Sequence, residues 1–210
     1  MRYAWTVAGD DPDFGQGDKY GIDGYFYPMA DPLTTTTEVQ KAASWPGVKA
    51  VGIYYGHNWH PTWTPGQIAA FIIAERKVVT KNNTVLKQLR VMYNEEDHDP
   101  DKIVAVLTQV RAAFPNVGLS WSPEGMQGGW MSPEFVAAIT ALKVRVVPQN
   151  FWGASGTIAG DYAADAVLRD LLKRGFKQEQ VSLFWDGKTI GKYRNAEGYV
   201  FTMGRLPWIS

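Results

Sequence analysis

The stretch "RVMYNEEDHDPDKIVAVLTQVRAAF", Arg90 to Phe114, carries the fold in miniature. It opens on an apolar, strand-like run. Five acidic residues then fall within seven positions: Glu95, Glu96, Asp97, Asp99 and Asp101. Asp99 and Pro100 spell a helix start, an N-cap acceptor followed by proline at the first helical position. A helical pattern runs on from there to Phe114. The unit is therefore strand, acidic loop, helix. The density of carboxylates has two readings, the rim of an active site or the polar punctuation that begins a helix.

The same unit recurs along the chain. Apolar runs ending in polar or acidic residues are "YAWTVAGD" (Tyr3–Asp10), "IDGYFYPMAD" (Ile22–Asp31), "KAVGIYYGHN" (Lys49–Asn58) and "LRVMYNEED" (Leu89–Asp97). They continue with "VGLSWSPEG" (Val117–Gly125), "VRVVPQNFWG" (Val144–Gly153), "VSLFWDG" (Val181–Gly187) and "GYVFTMGR" (Gly198–Arg205). Most are β-branched or aromatic and bounded by Gly, Pro or Asp, as buried strands are. Between them, "TPGQIAAFIIAERKVV" starts on Thr64-Pro65, and "SPEFVAAITALK" on Ser132-Pro133. A further helical pattern, "GDYAADAVLRDLLKRGF", closes on Gly175, and a weaker one runs from about Thr37 to Ser44 after the polar lead-in "LTTTTEV".

Regular alternation of strand and helix implies a mostly parallel sheet with helices outside. Eight runs predict an α/β fold, a compact (β/α)8 TIM-like barrel over residues 1–210 as a single domain. That is shorter than the roughly 250 residues usual for this fold. The economy comes from missing crossover helices, since Asp10–Gly21 and Lys188–Glu197 are too polar and Gly-rich for full ones. The alternative is an open doubly wound sheet.

Composition bounds the function. Formal net charge is zero, so no basic surplus points to nucleic acid or an anionic membrane. The absence of cysteine excludes disulfides and thiolate metal sites. The N-terminal "MRYAWTVAGDDPDF" has no apolar core or cleavage site of a signal peptide, and no window approaches the roughly 18 apolar residues needed to span a bilayer. These features predict a soluble cytoplasmic product that reaches the outside only by lysis or by assembly into a larger particle. Nine tryptophans and ten tyrosines exceed what a core of this size needs and suit a protein that stacks sugars or bases.

In a barrel, function sits at the C-terminal ends of the strands. Those positions collect Asp31, His57, Asn58, Glu95, Glu96, Asp97, Glu124, Gln149, Asn150, Trp152, Trp185 and Asp186. The set is acidic, amide-bearing and aromatic, without Lys and without a glycine-rich phosphate cradle. Amides and carboxylates hydrogen-bond hydroxyls, and aromatic rings stack on the apolar face of a pyranose. No dinucleotide or P-loop pattern occurs, so no cofactor is expected, and no serine sits in a G-x-S-x-G elbow.

Glycoside hydrolysis needs two carboxyl groups flanking one bond, one protonated and one ionised. Glu95 ends the fourth run, Glu124 the fifth and Asp186 the seventh. Burial of Glu124 against Trp121 would raise its pKa toward that of an acid. Asn94, His57, Trp121, Gln149, Asn150, Trp152 and Trp185 are the expected substrate-binding residues. Asp99 reads as the helix cap, and Asp97 and Asp101 as residues favouring the helix N-terminus. Trp5, Trp45 and Trp208 read as core. Trp59, Trp63 and Trp130, in loops, read either as sugar platforms or as lids packed inward. His57, His60 and His98 lack metalloprotease spacing; a divalent-metal site drawing on His57, His98 and the acidic cluster is the weaker reading, and no metal is expected.

"VMYNEED" (Val91–Asp97), "SWSPEG" (Ser120–Gly125), "VVPQNFWG" (Val146–Gly153) and "LFWDG" (Leu183–Gly187) together resemble the sugar-acting TIM barrels of glycoside hydrolase type. More narrowly, they are similar to hydrolase-like barrels among tail and lysis proteins of phages infecting actinobacteria. In the large retaining superfamily an Asn-Glu after strand four supplies the acid/base, which Asn94-Glu95 matches. A Glu after strand seven is the nucleophile there, and Asp186 departs from it. The resemblance implies a virion tail component that meets a host cell-wall polysaccharide and other tail proteins. Its function is then either cleavage of that glycan or, in a degenerate barrel, structural support or receptor binding.

Overall fold

The computed structural model describes residues 2–6, 14–19, 21–29, 32–57, 59–81, 89–123, 130–149, 164–184 and 198–202. Each of the eight apolar runs contains a strand: β1 Arg2–Thr6, β2 Gly24–Pro28, β3 Ala50–Tyr55, β4 Arg90–Asn94, β5 Leu119–Ser122, β6 Arg145–Val146, β7 Leu183–Phe184 and β8 Gly198–Thr202. They form one sheet in the order β6-β5-β4-β3-β2-β1-β8-β7. Every neighbouring pair is parallel. The ends of that order meet, because Val146 and Val181 form a parallel bridge and the Ser182 N–H donates to the Val146 carbonyl at 2.8 Å. The result is a TIM-like barrel, thin where β6 and β7 are only two residues long. The open doubly wound sheet is set aside.

Helices follow the strands as α1 Phe14–Lys19, α2 Pro32–Ser44, α3 Pro65–Lys81, α4 Pro100–Ala113, α5 Pro133–Ala141 and α6 Ala164–Lys173. The three cap-then-proline starts form as read. Thr64 Oγ1 accepts from the Gln67 N–H at 3.3 Å while Gln67 Oε1 accepts from the Thr64 N–H at 2.9 Å, a reciprocal box. Asp99 accepts from the Lys102 N–H at 3.0 Å, and Ser132 from the Phe135 N–H at 3.2 Å.

The first crossover lacks a full helix, as expected, whereas α2 starts earlier than read. The first crossover contains a six-residue helix, α1, with Phe14 buried edge-on against Tyr25 at 4.9 Å. The threonine run is helix rather than lead-in, since α2 begins at Pro32. Thr35 and Thr36 are buried, and the Thr35 hydroxyl donates to the Pro28 carbonyl at 3.0 Å. That bond satisfies a β-branched side chain that otherwise disfavours helix.

Alternating strand residues enter two separate cores. Tyr3, Trp5, Phe26, Tyr54, Met92 and Val147 fill the barrel interior. Ala4, Tyr25, Tyr27, Ile53, Tyr55, Val91, Tyr93, Leu119 and Trp121 face outward and pack with helix residues such as Ile68, Ile72, Ile103 and Leu107. Gly52, paired with Phe26 across β2 and β3, leaves room for the Phe26 ring, which a Cβ there would strike. Trp5 is core as read. Trp45 is not: it is 37% exposed, with its Nε1–H donating to Asp18 at 2.7 Å. Trp208 lies outside the described residues. Among the described residues no helix is long and apolar enough to cross a membrane.

Candidate functional site

The inward parity of Met92 passes to Asn94 and then to Glu96, whereas Tyr93 and Glu95 share the outward face. Two adjacent glutamates thus leave β4 in opposite directions.

Glu95 turns toward α4. Its buried carboxylate, 2% exposed, accepts from the Tyr93 hydroxyl at 2.7 Å and pairs with Lys102 Nζ at 2.8 Å, both through Oε2. Oε1 accepts from the Asp97 N–H at 3.1 Å and lies 2.8 Å from His57 Nδ1, which also stands 3.3 Å from the Glu96 N–H. Burial pushes the Glu95 pKa up, but the bonds from Lys102, Tyr93, the Asp97 N–H and His57 outweigh it and hold the group below its ordinary value. Burial lowers the Lys102 pKa, and its bonding to Glu95 and the charges of Glu95 and Asp97 raise it on balance. Burial, aided by the Glu95 charge, lifts Tyr55 to about 12 and pushes Tyr93 up as well. A general acid needs a raised carboxyl pKa. Glu95 is a fully engaged anchor, with both carboxylate oxygens already bonded, and this arrangement lends no support to its expected acid/base role.

Glu96 takes the inward side. The Gln149 amide donates to Glu96 Oε1 at 2.9 Å and to Asn94 Oδ1, and the Asn94 amide donates to the same Glu96 oxygen at 3.3 Å. Asn94 and Gln149 are 7% and 2% exposed, while Glu96 is only partly buried. Among the described residues no hydrogen bond reaches Glu96 Oε2. The carboxyl is held by one oxygen at the barrel mouth, directed by two buried amides that are themselves paired. Asn94 and Gln149, both expected from the sequence as substrate-binding residues, are brought together here. Glu96 was one of several strand-end acids, and counting parity from Asn94 would have singled it out.

The remaining expectations divide. Trp121 is fully buried on the outer face, edge-on to Phe135 at 5.2 Å, with Nε1–H donating to the Glu95 carbonyl at 3.3 Å. It offers no ring to a ligand, because its strand position points at α5 rather than at the mouth. His57 holds Glu95 from β3's end and serves the anchor. Glu124, Asn150, Trp152, Trp185 and Asp186 lie outside the described residues. The loop tryptophans are partly buried and pack against the core. Trp59 touches both cores near the mouth, its indole lying against Gly56 where a Cβ would collide. Trp63 stacks on His60 at 3.5 Å, and Trp130 on His98 at 5.0 Å.

His57, Glu95 and Asp97 carry ligand-type atoms within 4.8 Å of one another. Two of the three already pair with a cation of the chain, since Lys102 Nζ lies 2.8 Å from Glu95 and 3.4 Å from Asp97. Asp97 therefore pairs with α4 as well as preceding it, and Asp99 is the cap. His98 stacks on Trp130 instead of joining the cluster.

No protein-family profile matches the sequence, and no curated protein matches it. Among solved structures, the chain is similar to active domain 2 of a thermostable chitinase from Pyrococcus furiosus, studied as catalytic-site mutants with chito-oligosaccharides. Identity is 14%, with a TM-score of 0.62 over 95% of this chain and 82% of that one. That likeness establishes the TIM-barrel-like fold of the chitinase domain as the fold of this chain.

Proposed function

We propose that the barrel mouth binds a polysaccharide and that Glu96, not Glu95, is the carboxyl that meets it. One observation carries this reading. Glu96 is held through a single oxygen by two buried amides, Gln149 and Asn94, at the C-terminal ends of β4 and β6. A carboxyl so directed can accept a sugar hydroxyl or donate a proton to a glycosidic oxygen, and Trp59 beside the inner core supplies an aromatic wall. The chito-oligosaccharides of the chitinase neighbour make β-linked amino sugars the first glycan to try. The resemblance of the four motifs points further, to a host cell-surface or cell-wall polysaccharide and a place among phage tail proteins.

Cleavage needs a second carboxyl, for which Asp186 and Glu124 are the candidates. The neutralisation of Glu95 by Lys102 favours a second reading, a non-catalytic receptor-binding or structural tail module. Incubation of wild type and Glu96→Gln with chito-oligosaccharides and purified cell-wall glycans separates the two. Product release by wild type that Glu96→Gln abolishes supports the enzyme. Saturable binding without product supports the module. Neither binding nor product on any glycan defeats the enzyme and the receptor-binding reading and leaves the structural one.

A further inference from the structure

His57 follows the C-terminal end of β3 and reaches both glutamates after β4 with one atom. Its Nδ1 lies 2.8 Å from Glu95 Oε1 and 3.3 Å from the backbone nitrogen of Glu96, whose N–H is directed at it. These two neighbours ask opposite things of the ring. An ionised carboxylate only accepts, so Nδ1 must carry a proton to bond it. The Glu96 N–H only donates, so it needs a bare Nδ1. The conflict sits at Nδ1 whatever the other ring nitrogen bonds, which lies 3.9 Å from Asp97 Oδ1.

The two glutamates depend on that atom to different degrees. Without it, Glu95 keeps the Asp97 N–H on Oε1 and both Tyr93 and Lys102 on Oε2. Among the described residues, the Glu96 N–H meets no other acceptor. Gln149 and Asn94 hold the Glu96 side chain from β6 and β4, whereas its peptide is held from β3. The His57 side chain is 18% exposed, which leaves the ring open to exchange of its proton with water.

We infer that His57 is a positioning residue of the mouth, in which the proton on Nδ1 decides whether the ring holds the Glu95 carboxylate or the Glu96 peptide. With Nδ1 bare and the proton on Nε2, the ring accepts from the Glu96 N–H while Glu95 stands on its three other bonds. Uptake of a proton at Nδ1 gives the bond to Glu95 and releases the Glu96 peptide. Imidazole is the side chain that changes charge between about pH 5 and 8. Around the ring, Glu95 is held below its ordinary value, Lys102 and Tyr93 above theirs, and Tyr55 at about 12. Asp97 faces it from the β4–α4 loop, and His60 lies beyond Tyr55 on the β3–α3 loop.

The test follows the full-length, nitrogen-15-labelled protein from about pH 8 to about pH 5.5, reading the His57 ring nitrogens and the Glu96 backbone amide together. Nδ1 should pass from the bare to the protonated range. The Glu96 amide proton should move upfield with the same midpoint, as it loses its acceptor. His57→Asn places a carbonyl and an amino group near the position of Nδ1, serves both neighbours through separate atoms, and should leave the Glu96 amide unmoved. An Nδ1 that stays protonated or stays bare throughout overturns the proposal. So does a Glu96 midpoint different from that of the ring, or a Glu96 amide that still titrates in His57→Asn. The consequence for binding rests on the proposed glycan site. Chito-oligosaccharide affinity should be about fivefold weaker at the acid end, the worth of one net hydrogen bond, and should not vary with pH in His57→Asn. Coupled amides with binding that ignores pH overturn the positioning role. Coupled amides with no oligosaccharide bound at any pH support the exchange at Nδ1 and defeat the glycan site instead.

Discussion

Glu95 and Glu96 are neighbours in the chain and lie on opposite sides of the barrel wall. Glu95 Oε2 meets Lys102 Nζ at 2.8 Å on the helix side, and Glu96 Oε1 receives the Gln149 amide at 2.9 Å on the inner side. The first is a buried ion pair that locks the β4–α4 turn. The second is a carboxyl directed over the mouth. Exchanging their roles by mutation should therefore separate stability from function.

Glu95→Gln leaves the Lys102 ammonium beside a neutral amide. Removing one partner of a buried pair costs about 3 kcal/mol, which for a chain of this size lowers Tm by roughly 8 °C. Glu96→Gln, partly exposed and engaged through one oxygen, should change Tm by less than about 2 °C while lowering any glycan turnover by ~100-fold or more. Thermal melts and product release measured on the same preparations check both.

Gln149→Leu removes the amide that joins Asn94 to Glu96. Asn94 Oδ1 then loses a buried donor, at a cost of about 1–3 kcal/mol, and Glu96 is no longer held. Glycan affinity measured by calorimetry should fall. Unchanged affinity in a folded variant would show that the mouth does not depend on this network.

The pair also sets a pH dependence. The folded-state pKa of Glu95 is depressed, so its contribution is present above the unfolded carboxyl value near ~4.3 and is lost as pH falls through the lower folded value. The folded pKa of Lys102 is raised, so its contribution is complete below about 10.4 and is lost as pH rises through the higher folded value. The Tm gap between wild type and the Glu95→Gln/Lys102→Gln double variant should be widest around neutrality. It should narrow both below about pH 4 and above about pH 10.5.

Gly52→Ala tests the inner core. The added Cβ meets the Phe26 ring inside a closed barrel, where neither strand can retreat. A destabilisation of about 1–3 kcal/mol is expected from overpacking, read by urea denaturation. Phe26→Leu in the same background should recover part of it.

Much of the fold was legible in order along the chain. Caps such as Thr64, Asp99 and Ser132 act within three residues of themselves, so their reading needs no tertiary knowledge. The eight apolar runs likewise announced eight strands. The face each residue takes was hidden, because a barrel wall buries both sides and "RVMYN" shows no alternation of apolar and polar. Trp121 and Glu95 consequently read as site residues although both point at helices, and Trp45 read as core although α2 leaves it at the surface. The curl of the sheet across β4, β5 and β6 brings Gln149 to Asn94 across 55 residues, and the β4–α4 turn brings Lys102 back onto Glu95. Capping is local chemistry and survives in the one-dimensional record. Facing and pairing across a closed sheet are settled by register, which exists only once the strands have met.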